Sequence, residues 1–244
     1  MVYTSKQNPI IKEIASLKDK KYRQKLGLYV AEGVKLVNEA IKYNVNIEKI
    51  VVTEEYLPLV APNNFNVIVV SKAVFDYLSY EESPQGVLAV IKIPSSSVLP
   101  PKGNALILDG VSDPGNLGTI IRTACAFDFK DIYMLNCTDA YSGKVVRASM
   151  SGVYFARLYK CDKSTLLKAL EGYKIIVADM GGDSIDNFDN NYDKFAILVG
   201  NEANGVSRDM KELADKIISI PMQENVESLN VAVASAIMMY KLKR

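Results

Sequence analysis

The stretch ALILDGVSDPGNLGTIIRTACAFDF, residues 105–129, joins an apolar strand to an amphipathic helix. Continuous apolar residues before Asp109 are typical of a strand covered on both faces. Beyond the turn, apolar residues recur at spacings of three and four, which predicts a helix over 116–127 with Asn116 near its N-cap. Arg122 lies off this apolar face, so the stretch fits either a simple capped turn or a site for an anion or hydroxyl. The apolar face comprises Leu117, Ile120, Ile121 and Ala124.

Strand and helix patterns alternate along the rest of the chain, which indicates an α/β protein. The proline- and serine-rich stretch 95–103 predicts a linker between a smaller α/β domain, 1–94, and a second domain, 104–244. In the second domain, apolar strands separated by helices predict a mostly parallel sheet. Its strands are predicted at 105–109, 131–135, 174–180, 195–200 and 216–222, and its helices at 116–127, 164–171, 207–214 and 229–241.

Charge is concentrated at the start of the chain. The net charge is only +1, yet residues 1–25 contain seven basic and two acidic side chains. A basic segment suits a polyanion such as RNA, and a solvated helix face is the alternative interpretation. Lys20, Lys21 and Arg23 are the candidate RNA contacts in this segment.

Several classes of chemistry are excluded by composition and spacing. The chain has no histidine, which removes Ser-His and Cys-His catalysis and the usual zinc ligand sets, so we expect no metal site. Its three cysteines are far apart, which favours a reducing compartment. No signal core or run of about 18 apolar residues occurs, so we expect a soluble, cytoplasmic protein. The glycines at 110, 115 and 118 match neither the dinucleotide fingerprint nor a complete phosphate loop.

Three loops follow apolar strands in the second domain. They start after residues 109, 199 and 219, and ligands of open α/β sheets collect at the carboxyl ends of strands. Each loop also has a purely structural interpretation. Asparagines and glycines form turns, and Ser228 would be a good N-cap for the alanine-rich helix that follows it.

The three loops, in order and spacing, resemble the three motifs of the SpoU (TrmH) family of RNA ribose 2′-O-methyltransferases. The motif segments are DPGNLGTIIRTA (113–124), LVGNEANGVS (198–207) and IPMQENVESLNVAVASAI (220–237). YVAEGVKLVNEA (29–40) and SPQGVLAV (83–90) resemble the family's RNA-binding domain, which is similar to ribosomal protein L30e. The resemblance implies a trefoil-knotted C-terminal domain, a homodimer formed through that domain, and S-adenosylmethionine as methyl donor.

Five polar residues match the family's catalytic set. Asn116 and Arg122 match the polar pair of the first motif, Glu202 the carboxylate of the second, and Ser228 and Asn230 the polar pair of the third. The resemblance implies that Arg122 acts on the ribose hydroxyl while the other residues orient it and the loops. A guanidinium is a poor base, so Arg122 either removes the proton transiently or pins a phosphate and stabilises the developing oxyanion.

The resemblance also implies a donor site and an RNA surface. Gly200, Ile220 and Leu229 match the residues that hold the donor, and Met222 is a weaker candidate. Lys144 and Arg147 resemble a family segment near the RNA, with a solvated helix as the alternative.

The substrate expected from the two-domain arrangement is 23S ribosomal RNA. A ribose 2′-hydroxyl exists only in RNA, and the N-terminal domain resembles that of large-subunit rRNA enzymes. A transfer RNA enzyme and a non-catalytic RNA-binding protein of the same fold are the alternatives. A dinucleotide oxidoreductase is disfavoured because its fingerprint is absent.

Overall fold

A computed structural model describes residues 1–60, 65–94 and 97–243, and these form two compact units. The first unit comprises Met1–Pro94 with Tyr141–Tyr154, and the second comprises Ser95–Ala140 with Phe155–Arg244. The linker predicted at 95–103 includes residues 95 and 96, which lie outside the described residues. Among the described residues, no helix has the length and apolar character that crossing a bilayer requires.

The first unit is built on a mixed five-stranded sheet. Its strands are β1 (Val2–Tyr3), β2 (Leu28–Glu32), β3 (Ile47–Val52), β4 (Val67–Val70) and β5 (Val87–Lys92), in the order β1-β4-β3-β5-β2. The β5 strand runs antiparallel to both of its neighbours, while β1, β4 and β3 are mutually parallel. The helices are α1 (Pro9–Ser16), α2 (Lys20–Leu26), α3 (Val34–Lys42), α4 (Leu57–Val60) and α5 (Lys72–Leu78).

The second unit contains a six-stranded sheet in which every pairing is parallel. The order is β11-β9-β10-β6-β7-β8, and the central strands β6, β7 and β10 are buried along their whole length, as expected for a sheet covered on both faces. The strands are β6 (Ala105–Asp109), β7 (Asp131–Leu135), β8 (Arg157–Lys160), β9 (Lys174–Ser184), β10 (Phe195–Val199) and β11 (Lys216–Ser219). The helices are α6 (Pro114–Ala126), α9 (Lys163–Ala169), α10 (Arg208–Lys211) and α11 (Val231–Leu242).

Residues 141–154 belong to the first unit although the sequence division places them in the second domain. They form α7 (Gly143–Ala148) and the start of α8 (Gly152–Phe155). The rings of Tyr141 and Tyr29 lie 4.9 Å apart, and the Tyr154 hydroxyl donates to the Leu36 carbonyl at 3.2 Å. The division into domains at 94 and 104 stays a prediction, and these long-range contacts are ones that local patterns do not reveal.

Two helix starts differ from the sequence expectation. Helix α6 begins at Pro114, and its N-cap is Asp113, whose Oδ1 accepts from the amide of Asn116 at 2.8 Å. Helix α11 begins at Val231, and its N-cap is Asn230 instead of Ser228. Both N-cap expectations were therefore wrong. At the first site, an aspartate followed by proline at the first helical position is a stronger start signal, and it leaves the Asn116 side chain available for other contacts.

Candidate functional site

The Glu202 carboxylate joins the 200–205 loop to the start of α6. Its Oε2 accepts from the amide and the hydroxyl of Ser112, at 3.2 and 3.0 Å. Its Oε1 accepts from the Asp113 amide and from Asn116 Nδ2, both at 3.1 Å. A carboxylate at the positive end of a helix is favoured electrostatically, and here it also satisfies amides near the helix start.

Asn116 extends this network to the third loop. Its Oδ1 accepts from Asn230 Nδ2 at 2.9 Å, and Asn230 Oδ1 in turn caps α11 by accepting from the Ala232 amide at 2.9 Å. The Glu202 carboxylate can only accept, and the Ala232 backbone N–H can only donate. These two groups, at the ends of the hydrogen-bond network, therefore fix the orientation of both asparagine side chains. The structure therefore brings together three of the five predicted catalytic residues.

The same hydrogen bonds control the ionisation of Glu202. Burial would raise the pKa of this carboxyl, but hydrogen bonds outweigh it and lower the pKa from the usual 4.5 to about 2. The donors are its own amide, the Asn116 side chain and the amides of Asp113 and Ser112. Glu202 is therefore ionised at neutral pH and is a weak proton acceptor.

A cavity of about 450 Å³ lies beside this network in the second unit. That volume falls within the range of about 300–1,000 Å³ typical of small-molecule sites. All four residues predicted to hold the methyl donor line the cavity: Gly200, Ile220, Met222 and Leu229. Glu202 and Ser228 also line it, so Glu202 belongs both to the cavity lining and to the polar network.

Gly200 is required by the shape of its own loop. A Cβ at this position would overlap the carbonyl group of Gly205 and the amide of Val206. The 200–205 loop folds back on itself through two backbone hydrogen bonds between Asn201 and Gly205, at 2.8 and 2.9 Å. Close approach of backbone to backbone therefore explains why this position is a glycine.

Arg122 and Ser228 lie outside the polar network. Arg122 is exposed on α6, opposite the buried apolar face, and its guanidinium forms no hydrogen bond or ion pair with any other described residue. Ser228 is exposed and lines the cavity. The described part of the chain therefore positions Glu202, Asn116 and Asn230 by direct contact, and leaves the Arg122 guanidinium free to meet a ligand.

Two residues whose side chains contact Glu202 were not among the sequence candidates. Ser112 contributes both of its donors to Glu202, and Asn201 Nδ2 donates to Glu202 Oε2 at 3.3 Å. Their position within the first two loops was the only available signal. A serine and an asparagine in such loops are equally well explained as turn formers, so only the tertiary structure distinguishes the two roles.

The predicted RNA contacts differ in accessibility. Lys20, Lys21 and Lys144 are exposed. Arg147 is exposed and forms an ion pair with Glu81. Arg23 is only 4% exposed, and its Nη1 donates to the carbonyls of Leu17 and Lys18 at 2.7 and 2.9 Å. Because this guanidinium is committed to the end of α1, the expectation of an RNA contact at Arg23 is corrected.

Comparison with known proteins finds two matching family models and a relative that covers nearly the whole chain. The SpoU rRNA Methylase family matches residues 103–240, and the MRM3-like substrate binding domain matches residues 8–89. The 23S rRNA (guanosine(2553)-2′-O)-methyltransferase RlmP of Bacillus subtilis (strain 168) is 31% identical over 243 residues, which cover 98% of this chain and 98% of that protein.

Solved structures with the same fold cover nearly the whole chain. An AdoMet-bound rRNA methyltransferase from Sinorhizobium meliloti superposes with a TM-score of 0.89 at 28% identity, over 99% of this chain and 97% of the other. An RNA 2′-O ribose methyltransferase superposes with a TM-score of 0.82 at 28% identity, over 99% and 98%.

The fold and the site thus define an RNA methyltransferase with a separate N-terminal domain. The chain belongs to the SpoU rRNA methylase family. The resemblance, the α/β fold class and the enzyme class expected from the sequence are confirmed.

Proposed function

We propose that this chain transfers a methyl group from S-adenosylmethionine to a ribose 2′-hydroxyl of 23S ribosomal RNA. The observation that carries the proposal is the shared position of Glu202, which lines the cavity and anchors Asn116 at the start of α6. A methyl-donor site and a polar site that share one residue can place two reactants next to each other. Family membership and the Bacillus subtilis relative support the choice of rRNA.

The cavity lining fits S-adenosylmethionine. Ile220 and Leu229 provide apolar surface for a flat base, and strand-end peptide groups around Gly200 offer hydrogen bonds without added charge. Met222 adds a flexible thioether that can adapt to an irregular ligand. When bound, the donor supplies an electrophilic methyl group on a sulfonium.

The remaining catalytic task is to place the ribose oxygen and accept its proton. Correct placement of two reacting groups can contribute up to roughly 7–11 kcal/mol. Glu202 is a weak base and its oxygens are already hydrogen-bonded, so we assign it, with Asn116 and Asn230, to positioning. Ser228, at the cavity edge, would contact the reactants.

Arg122 is the group we assign to the ribose. Its exposed guanidinium would pin a neighbouring phosphate and stabilise the developing oxyanion, or remove the proton transiently. A rate of methyl transfer that does not change between neutral and strongly alkaline pH, together with full activity of Arg122→Lys, would contradict both roles.

We also propose that the RNA lies against Lys20, Lys21, Lys144 and Arg147. These side chains are exposed cations, and phosphate contacts supply most of the sequence-independent affinity for RNA. Paired substitution of Lys20 and Lys21 by Gln should weaken RNA binding and reduce its dependence on salt. An unchanged salt dependence would exclude this pair from the interface.

The second unit is proposed to form a homodimer and to contain a trefoil knot. Val233, Ile237 and Tyr240 lie at helical spacing on α11 and are exposed, and such an apolar surface is typical of an interface. From β10, the chain crosses to β11 on the far side of β9, which is compatible with a knotted path. A sedimentation profile of a monomer would contradict the dimer. A crystal structure in which the chain is not threaded would contradict the knot.

A cytoplasmic location is proposed as well. All three cysteines are free thiols, as expected in a reducing compartment. Recovery of the protein outside the cytoplasmic fraction of its cells would contradict this location.

The decisive experiment maps 2′-O-methyl groups in total RNA from cells with and without the gene. We expect loss of one methylation in 23S rRNA and its restoration by the wild-type gene. Loss in a transfer RNA instead would change the substrate. If donor binding is measured but no ribose methylation changes, the chain is a non-catalytic RNA-binding protein.

A further inference from the structure

The Asn201 side chain connects two strand ends of the second unit. Its Nδ2 donates to the Gly110 carbonyl at 2.8 Å, directly after β6, and to Glu202 Oε2 at 3.3 Å. Gly110 has a left-handed backbone with φ of 76°, a conformation that glycine adopts without strain and that sets the direction of this part of the chain. The nitrogen end of the amide therefore faces two acceptors.

The oxygen of the same amide holds the 200–205 loop, which we assign to the methyl-donor site and call the donor-binding loop. Asn201 Oδ1 accepts from the amides of Ala203 and Asn204 at 2.9 and 3.2 Å. With the two backbone hydrogen bonds to Gly205, Asn201 fixes the loop from both its side chain and its main chain. The nitrogen of the Asn201 amide faces hydrogen-bond acceptors and its oxygen faces hydrogen-bond donors, so only one orientation of the amide is possible. A carboxylate of the same shape could not satisfy both sets of partners.

Asn201 also lines the cavity, as do Ala203, Asn204 and Gly205. The residue therefore touches the cavity wall, the end of β6 and the Glu202 carboxylate. Ser112 differs in this respect, because it contacts Glu202 but does not line the cavity. A single residue in contact with all three places can couple the shape of the methyl-donor site to the position of the polar network.

We propose that Asn201 is a positioning residue that holds the donor-binding loop and the Glu202 carboxylate as one rigid unit. This inference rests on the proposed function, since it assigns the cavity to the methyl donor. It adds a residue that the family resemblance did not supply. It also predicts that disturbing Asn201 weakens donor binding and slows methyl transfer together, whereas disturbing Ser112 mainly slows transfer.

The test is the Asn201→Asp variant, which keeps the size of the side chain and removes both of its N–H donors. The new carboxylate faces the Gly110 carbonyl and Glu202, so we expect donor affinity to fall about tenfold or more in calorimetry. The rate of methyl transfer should fall as well. Ser112→Ala should leave donor affinity within about twofold. Asn187→Asp makes the same chemical change at an exposed site in the same unit and should leave affinity and rate unchanged.

Two readouts separate this coupling from a general loss of structure. Because neighbouring carboxylates raise each other's pKa, Asn201→Asp should regain donor affinity on acidification, when the added acid can donate again. The double variant Asn201→Asp with Glu202→Gln should recover about threefold or more of the lost affinity, because it restores an amide–carboxylate contact with the groups exchanged.

The outcomes distinguish this inference from the proposed function. Donor affinity within about twofold of wild type in Asn201→Asp would overturn the role of Asn201, as would a double variant no better than the additive expectation. Wild-type protein that takes up no S-adenosylmethionine would overturn the proposed function itself. Wild-type protein that binds the donor but methylates no RNA would leave the affinity test of Asn201 fully interpretable.

Discussion

The two sides of the cavity that we propose for the methyl donor are held in place by different means. The 200–205 loop is hydrogen-bonded through the main chain of Asn201 and Gly205 and through the side chains of Asn201 and Glu202. The segment from Ile220 to Leu229 on the other side is largely exposed and has no regular secondary structure. Its Leu229 and Met222 contact the cavity as half-buried apolar side chains.

The difference between a hydrogen-bonded wall and an apolar wall explains how one site can be both pre-organised and adaptable. Hydrogen bonds with fixed donors and acceptors define one geometry for the 200–205 loop. Apolar contacts are non-directional, so the 220–229 segment can adjust its fit without breaking a specific bond. We therefore expect substitutions in the first loop to act on geometry, and those in the second segment to act on contact area.

The largest effect is expected outside both walls, at Arg122. Arg122→Ala should lower the rate of methyl transfer roughly 10²–10³-fold, because a group that stabilises developing charge contributes that much. Donor affinity should not change, since Arg122 does not line the cavity. Single-turnover kinetics and calorimetry measure the two quantities. Arg208→Ala, which also removes an exposed arginine from this unit, is the control. A fall in donor affinity equal to the fall in rate would place Arg122 on the cavity wall.

Gly200→Ala should have the next largest effect. The added methyl overlaps the backbone around Gly205, so the loop must open, and overpacking of this kind costs about 1–3 kcal/mol of folding stability. Donor affinity should fall about hundredfold, because the loop loses its bound shape. Denaturant unfolding and calorimetry test this. Gly103→Ala, with open space around the added methyl, should match wild type. A Gly200→Ala variant with the stability and donor affinity of wild type would mean that the loop is not rigid.

Leu229→Ala tests the adaptable wall. Loss of half-buried apolar contact area should weaken donor binding about tenfold or less, with little change in the free energy of unfolding. Val226→Ala removes a side chain that is 44% exposed in the same segment and does not line the cavity, so its donor affinity should equal that of wild type. A loss of stability comparable to that of Gly200→Ala would show that this wall is as rigid as the first.

The smallest effect is a pH dependence from Glu202. Its pKa in the folded chain is lowered to about 2, so its ionised form stabilises the fold at neutral pH. That contribution is complete above the usual pKa of 4.5 and disappears as the pH falls through about 2. The difference in unfolding free energy between wild type and Glu202→Gln should shrink over this interval. The exposed control Glu224→Gln should show no such change. A constant difference between wild type and Glu202→Gln would contradict the hydrogen-bonded carboxylate.

Local patterns predicted most of the second unit because its strands are buried on both faces. The strand predicted at 105–109 is β6, and that at 131–135 is β7, with the same bounds. β8, at Arg157–Lys160, was not predicted, because its four residues mix charged and apolar side chains at the sheet edge.

The amino-acid sequence by itself determined most elements of the second unit, the family motifs and several residues that line the cavity. These follow from periodicity, loop chemistry and motif spacing, which are local properties of a chain. Only the tertiary structure decided which atoms meet: that Asn116 turns toward Glu202 instead of capping α6, that Arg23 is buried, and that Asn201 connects two strand ends. Hydrogen bonds between residues some 90 positions apart depend on how the strands are ordered in the sheet, and no local pattern encodes that order.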